Sequence, residues 1–442
     1  MRLHSTAGAK PAFDQLLVQI PSRAENRRFY LTWQPIEATA SVPAGGSGRE
    51  IMLRNASSNG GTLVFSASRT GKAETEMCLT LEAGTPASFW IAGGTASSED
   101  GDAVLEIIDD GTKKLLATVP MMVRIRKNAN SLTPGERARF VKALAEMNRV
   151  TSGTESTYRI MRNMHREGMD NEAHLNPAFL PWHRAFVLDF ERELQAIDQS
   201  VALHYWRFDE AAPNVFTQDF MGARRPSRGA YAVFAADNPL LGWATDTGTG
   251  IRRRARRAWN PNASGIPTGI TQDATVNEKA SYFLFREMES DPHGRAHTSW
   301  NGFLSQVPTS PLDPLFFMLH SNVDRLWALW QSADLPIRAN PDEITAFDSI
   351  NKREREEFDP REGHHLDDTM WPWNGHIGEG IEKAGHDPRP TFVVGGVICA
   401  SKITPNVPPD MPTVRSMIDY QGVTTPVHLG FDYYDVPFKR AT

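Results

Sequence analysis

A change of period near residue 130 constrains this chain more than any other feature. From Phe13 to about Ile125 the apolar residues come in short runs split by turn chemistry. These are Leu16–Ile20, Phe29–Trp33, Ile51–Leu53, Leu63–Phe65, Met77–Leu81, Ser88–Ile91, Val104–Ile108, Leu115–Val119 and Met121–Ile125. Runs of this length, rich in Val, Ile, Phe and Trp, fit pleated strands. Asp109-Asp110-Gly111-Thr112, between two of them, has the chemistry of a hairpin turn. Regular spacing of such runs predicts an all-β sandwich or small barrel. After Asn128-Ala129-Asn130-Ser131 the pattern turns helical. Thr133-Pro134-Gly135-Glu136 is a capping box with proline at the first helical position, and Phe140, Val141, Leu144 and Met147 follow on one stripe.

Further amphipathic segments run from Tyr158 to about Arg166, from His183 to Ile197 and from Leu315 to Trp330. A fourth, from about Tyr282, ends near His293 to Trp300. The expectation is an α+β multidomain chain. A β-rich domain over 1–130, without visible chemistry, precedes a mainly helical domain over 131–442 built on a four-helix bundle of two antiparallel pairs. The length of 442 residues agrees with two domains. Two Pro/Gly-rich connections, Asp209 to Thr275 and Ser332 to Arg389, are too long to be idle connectors and are expected to shape a site.

A formal net charge of -6 carries no nucleic-acid signature, so no nucleic-acid partner is expected. The local run Arg252, Arg253, Arg254, Arg256, Arg257 reads as a solvated face, with an anion or interdomain contact as the alternative. Cys78 and Cys399 cannot build a disulfide framework, and both read as buried thiols in strand-like stretches. No apolar stretch reaches the length of a membrane span, so no membrane partner is expected. Met1 to Phe13 has no apolar signal region, which favours a cytoplasmic location over secretion.

Six of the thirteen histidines form two groups. His165 ends a helical segment, His174 lies in a loop, and His183 shares a stripe with Phe186, Val187, Phe190, Leu194 and Ile197. In the second group His293 and His297 are four apart, on one helical face, and His320 heads a stripe through Val323, Trp327 and Trp330. A single histidine on an apolar stripe is more often a hydrogen-bonded core residue, and an isolated His-x-x-x-His pair is weak evidence. Two sets of three, with no cysteine or carboxylate in the pattern, suit copper or zinc. Structural zinc would favour cysteine, and catalytic zinc one site. The other seven, including His4, His204, His376 and the His364-His365 doublet, read as structural or surface residues.

His174-Leu-Asn-Pro-Ala-Phe-Leu-Pro-Trp-His183-Arg184 resembles the first copper signature of the tyrosinase/polyphenol oxidase family of type-3 copper proteins. Asp313-Pro314-Leu315-Phe316-Phe317, running to His320-Ser-Asn322-Val-Asp324-Arg325-Leu-Trp327, is similar to the second signature. Glu289-Ser-Asp-Pro-His293-Gly-Arg-Ala-His297 resembles the entry to that second site, and Phe431-Asp432-Tyr433 the closing Tyr/Phe-x-Tyr motif. The resemblance spans about Ser131 to Tyr434. It implies two copper ions, the first on His165, His174 and His183 and the second on His293, His297 and His320, with dioxygen as co-substrate and a small phenol as substrate. It further implies that Phe316 packs against the ligands and that Val307 sits at a gate over the second copper. Asp324, four residues after His320, is a candidate acceptor for a ligand imidazole N–H, against the plainer reading of an ion pair with an arginine.

Three departures matter. Leu319 replaces the first member of a His-His doublet, and Glu172 stands where some relatives carry a thioether cysteine. Gly294 follows His293, where many tyrosinases carry an asparagine that, with a glutamate such as Glu289, orients a water to deprotonate monophenols. Glu287 is the alternative carboxylate. The resulting expectation is oxidation of o-diphenols to o-quinones, with weak or absent monophenol hydroxylation. A full tyrosinase, a hemocyanin-like dioxygen carrier and, more distantly, a di-zinc hydrolase are the alternatives.

Overall fold

A computed structural model describes residues 16–20, 29–57, 59–149, 155–168, 173–223, 231–255, 271–277, 279–347, 363–374, 412–425 and 428–439. The expected boundaries 1–130 and 131–442 differ from the division observed. The chain divides into one compact unit of Met1–Ile125 with Gly430–Thr442, and a second of Arg126–Leu429. The C-terminal segment joins the first unit because buried donors there need acceptors. Trp33 donates its indole N–H to the Tyr433 carbonyl at 2.9 Å and Gln34 its amide to the Phe431 carbonyl at 2.8 Å. Phe438 joins the same apolar core.

The first unit contains β1 (Leu17–Gln19), β2 (Phe29–Leu31), β3 (Ile36–Ser41), β4 (Arg49–Asn55), β5 (Thr62–Ser66), β6 (Glu76–Leu81), β7 (Ala87–Thr95), β8 (Ala103–Asp109) and β9 (Leu115–Val123). They form a four-stranded sheet, β1-β3-β7-β5, and a five-stranded sheet, β2-β9-β8-β4-β6. Alternation decides which face is buried. Ile51 and Leu53 of β4 and Leu105 and Ile107 of β8 point inward, with Phe65 of β5 and Phe89 of β7 in the same cluster. The Asp109–Thr112 turn closes β8 onto β9, with Thr112 N–H donating to the Asp109 carboxylate at 2.9 Å.

Two strand expectations need correction. Leu115–Val119 and Met121–Ile125 are not separate strands, because β9 runs through Pro120. That proline lies just before the pairing with β2 begins at Met121, where β9 has a neighbour on one side only and a missing N–H is tolerated. β3 carried no bulky signal, since its inward positions are Ala38 and Ala40. The expected burial of Cys78 also fails. It is exposed on the edge strand β6, where outward positions alternate with inward ones. Cys399 and His4 lie outside the described residues.

The second unit carries α1 (Pro134–Met147), α2 (Thr157–Gly168), α3 (Phe179–Ile197), α4 (Gln272–Asn277), α5 (Tyr282–Phe285), α6 (His293–Thr298) and α7 (Leu315–Ala333). The capping box starts α1 as expected, with Thr133 N–H donating to Glu136 Oε2 at 2.9 Å and Glu136 N–H to Thr133 Oγ1 at 3.2 Å. α3 and α7 pack through Phe190 on Phe317, stacked at 3.5 Å between centroids.

The expected fourth helix is broken into α5, a 3-10 turn over Arg286–Glu289, and the six-residue α6. Pro292 stands at the N-cap of α6. It has no N–H for a preceding turn, and its ring clashes with that turn's carbonyl. The histidines therefore sit on three long helices' worth of framework only in part; His293 and His297 ride on one short turn. Among the described residues no helix is long and apolar enough to cross a membrane.

Candidate metal centre

Each histidine arrives by a local device. His165 lies in the last turn of α2, His183 near the start of α3, His293 and His297 one turn apart on α6, and His320 in the second turn of α7. His174 sits on the loop before α3, whose Asn176 side chain donates to the His174 carbonyl at 2.6 Å and accepts from Ala178 N–H at 2.7 Å. The six rings form one continuous cluster. His174 is 5.0 Å from His165 and 5.3 Å from His183 between centroids, and His183 stacks on His320 at 4.3 Å. Nitrogens of His165, His183 and His320 lie within 4.8 Å of one another, as do those of His293, His297 and His320. His320 thus bridges both convergent sets, and His174 stands beside the first set without joining it.

Proton positions follow from the acceptors. His183 Nδ1 lies 2.8 Å from the Phe179 carbonyl, His293 Nδ1 2.6 Å from the Glu289 carbonyl, and His297 Nδ1 3.0 Å from the Leu304 carbonyl. A carbonyl oxygen only accepts, so all three carry the proton on Nδ1 and present bare Nε2 lone pairs. His297 Nε2 nevertheless lies 3.0 Å from His293 Nε2 and 3.2 Å from His320 Nε2. Two lone pairs at that distance repel unless a cation lies between them. His183 Nε2, both nitrogens of His165 and His320 Nδ1 have no hydrogen-bond partner although buried. Burial, then the neighbouring imidazoles, hold His165, His183, His293 and His320 well below the usual histidine range, and burial brings His297 down to about 4. Neutral, unprotonated and convergent nitrogens are the donor set a borderline metal requires, so the residues fit copper.

Around them, Phe316 is fully buried, with its ring 4.7 Å from that of His165 and 4.2 Å from that of His320. Ser310 Oγ lies 3.0 Å from His297 Nδ1 and adds a second oxygen beside that ring. Val307 is 49% exposed at the start of the 3-10 stretch that contains Ser310. Glu289 Oε1 accepts the Leu175 N–H at 2.8 Å, and burial pushes its carboxyl up to about 7 against that bond and the Arg286 charge. Glu287, the alternative carboxylate, is exposed and paired with Lys279 at 3.1 Å. A Cβ at Gly294 would meet only the Glu289 carbonyl oxygen, at 3.6 Å, so the space beside it is open. Glu172 lies outside the described residues.

Asp324 is not an imidazole acceptor for His320, whose Nδ1 has no partner. Its carboxylate is buried between two arginines: Arg184 Nε at 2.5 Å and Arg126 Nη1 at 3.2 Å. Arg126 also binds Glu191 at 2.7 Å, and the Arg184 guanidinium lies 3.7 Å over the Trp327 ring. Burial alone would raise the Glu191 carboxyl, and the Arg126 guanidinium outweighs it and brings it down. This network clamps α3 to α7, the two helices that bear His183 and His320. The plainer reading of Asp324, an ion pair with an arginine, is thus the one that forms, buried rather than at the surface; the wider network through Arg126 and Glu191 was not legible in the sequence. The expectation of a solvated run fails at Arg253. Arg253 is buried and paired with Asp313, Nε to Oδ2 at 2.7 Å, at the start of α7. β10 (Arg253–Ala255) pairs with β11 (Trp300–Gly302), which carries that arginine inward.

Residues 155–333, all within the second unit, match the signature described as the common central domain of tyrosinase. The tyrosinase of Streptomyces antibioticus is 32% identical over 280 residues, covering 57% of this chain and 93% of that protein. That of Streptomyces glaucescens is 32% identical over 280 residues, covering 57% and 92%. Among solved structures, the Burkholderia thailandensis tyrosinase at high pH aligns with a TM-score of 0.43 at 18% identity, over 72% of this chain and 75% of that one. The assignment rests on the sequence relatives. The chain belongs to the tyrosinase family of copper oxidoreductases, with a pair of copper ions as cofactor and dioxygen as co-substrate.

Proposed function

We propose that the chain oxidises o-diphenols to o-quinones and hydroxylates monophenols weakly or not at all. In this reading His165, His174 and His183 hold one copper and His293, His297 and His320 the other. Bound copper supplies the passage of electrons from the phenol to dioxygen. Two o-diphenols give up two electrons and two protons each, dioxygen becomes two waters, and two o-quinones leave. The chain's own part is positional. Carbonyls of Phe179, Glu289 and Leu304 fix three imidazoles with Nε2 inward. Phe316 excludes water from among the rings, and the Arg184–Asp324–Arg126 clamp holds α3 against α7.

The observation that carries the preference for diphenols is Gly294. A phenol of pKa about 10 must lose its proton at neutral pH. Glu289 is the nearby carboxylate, but one of its oxygens already accepts the Leu175 N–H, and residue 294 has no side chain to hold a water beside it. An o-diphenol is easier to oxidise and has a second hydroxyl to lose a proton through. A second reading, full tyrosinase activity, is favoured by the name of the relatives and by Glu289 itself, whose carboxyl near 7 suits a base at neutral pH.

Copper-loaded protein assayed on tyramine and dopamine, alongside Gly294→Asn, separates the two. The diphenol should react at least about 100-fold faster in the wild type, and the substitution should raise the monophenol share about tenfold. Equal wild-type rates on the two substrates would establish the tyrosinase reading instead. Dioxygen binding without quinone would establish a carrier.

A further inference from the structure

We propose that Leu175 determines substrate specificity, its side chain receiving an apolar substituent on the phenol ring; the inference rests on the oxidase reading above. Leu175 follows His174 directly. Its backbone has φ of 58°, the left-handed region that a side chain with a Cβ enters only at a cost. Asn or Gly would occupy it more easily, yet the position holds a large aliphatic residue. The surroundings impose the conformation. Leu175 N–H donates to Glu289 Oε1 at 2.8 Å, the Asn176 side chain binds the His174 carbonyl at 2.6 Å, and the Tyr282 hydroxyl donates to the Pro177 carbonyl at 2.6 Å. A loop pinned on each side of Leu175 leaves one thing undetermined by packing, the leucine side chain, which is 88% exposed.

Strain retained beside a reactive centre points to a use for the group it presents. Packing gives this leucine none, since it buries nothing of its own. A substrate ring placed at the histidine cluster would reach solvent past the residues next to the rings. Leu175 adjoins His174 of the first group, and Val307 begins the stretch whose Ser310 touches His297 of the second. Both are exposed and apolar. Apolar surface at such a position stabilises an alkyl or aryl substituent by removing it from water and gives nothing to a charged one. Glu289, held by the Leu175 N–H, adds a carboxylate that disfavours anionic substituents further.

The test compares wild type with Leu175→Asn and Leu175→Gly, both at home in the left-handed region, so that the loop keeps its path. The ratio of kcat/KM for 4-tert-butylcatechol to that for unsubstituted catechol should fall about tenfold in both variants, chiefly through KM, at unchanged copper content. Calorimetric titration without oxygen should show the same loss for 4-tert-butylphenol relative to phenol. A ratio that stays within twofold, or a parallel fall on both catechols, would overturn the proposal in favour of a purely structural loop. The titration also keeps the two readings apart. Wild type that oxidises neither catechol but binds 4-tert-butylphenol more tightly than Leu175→Asn would refute the oxidase reading and uphold this one.

Discussion

The two units bury different things. Among the described residues of the first, the core is aliphatic and aromatic, and Asp432 is its single buried charged side chain. The second buries Arg126, Arg162, Arg184, Arg253 and Arg325, several carboxylates, and four of the six clustered histidines. An apolar core needs no justification beyond area removed from water. Buried charge and bare imidazole nitrogen cost free energy unless something compensates them, so their concentration marks where the chain trades stability for chemistry. The first unit folds because its pattern alternates. The second folds around groups that want partners, and those partners are arginines, carbonyls and, at the convergent nitrogens, a metal.

That contrast can be broken most directly by the metal. Copper should slow amide exchange in α3, α6 and α7 by at least about 100-fold and leave β4 and β8 unchanged, because a ligand stabilises what it binds. His320→Ala should lose the second copper by elemental analysis and weaken the first, whose convergent nitrogens its ring adjoins. Two coppers retained in that variant would refute the ligand set.

Next in size are substitutions in the two cores. Asp324→Asn leaves Arg126 and Arg184 facing a neutral amide and should destabilise the second unit by about 3–5 kcal/mol. Phe65→Ala empties a fully buried site and should cost the first unit a similar 3–5 kcal/mol by the unrelated route of a cavity. Denaturation followed by exchange in each unit distinguishes them.

The smallest effect is a titration. His204 is buried on the Phe140 ring and accepts the Lys127 N–H on Nδ1 at 3.2 Å, and burial brings it from 6.5 down to about 4. Below 6.5 the unfolded chain takes up a proton that the folded one refuses, so stability falls as pH drops from 6.5 to about 4 and is retained above 6.5. The loss reaches about 3 kcal/mol at most. His204→Gln preserves an acceptor for Lys127 and should lessen the slope of the second unit's stability between those pH values, the clustered histidines contributing the rest. An unchanged slope in urea titrations would remove His204 from the account.

Much of this was legible before any coordinates. The strands of the first unit, the capped start of α1, and the five helix-borne histidines all follow from short-range rules, because period, cap and stripe are properties of neighbours along the chain. Gly294 beside His293 was legible in the same way. β3 was hidden because alanines give alternation little amplitude, and the continuous β9 because a proline inside an apolar run has the chemistry of a break. What only the tertiary structure decided were pairings across long separations. Arg126 meets Glu191 and Asp324, Arg253 meets Asp313, His320 serves both histidine sets, and the C-terminal segment supplies acceptors to Trp33 and Gln34. A charged side chain looks the same in sequence whether it ends in water or in a core. Which happens is set by the element folded against it, and no local rule contains that partner.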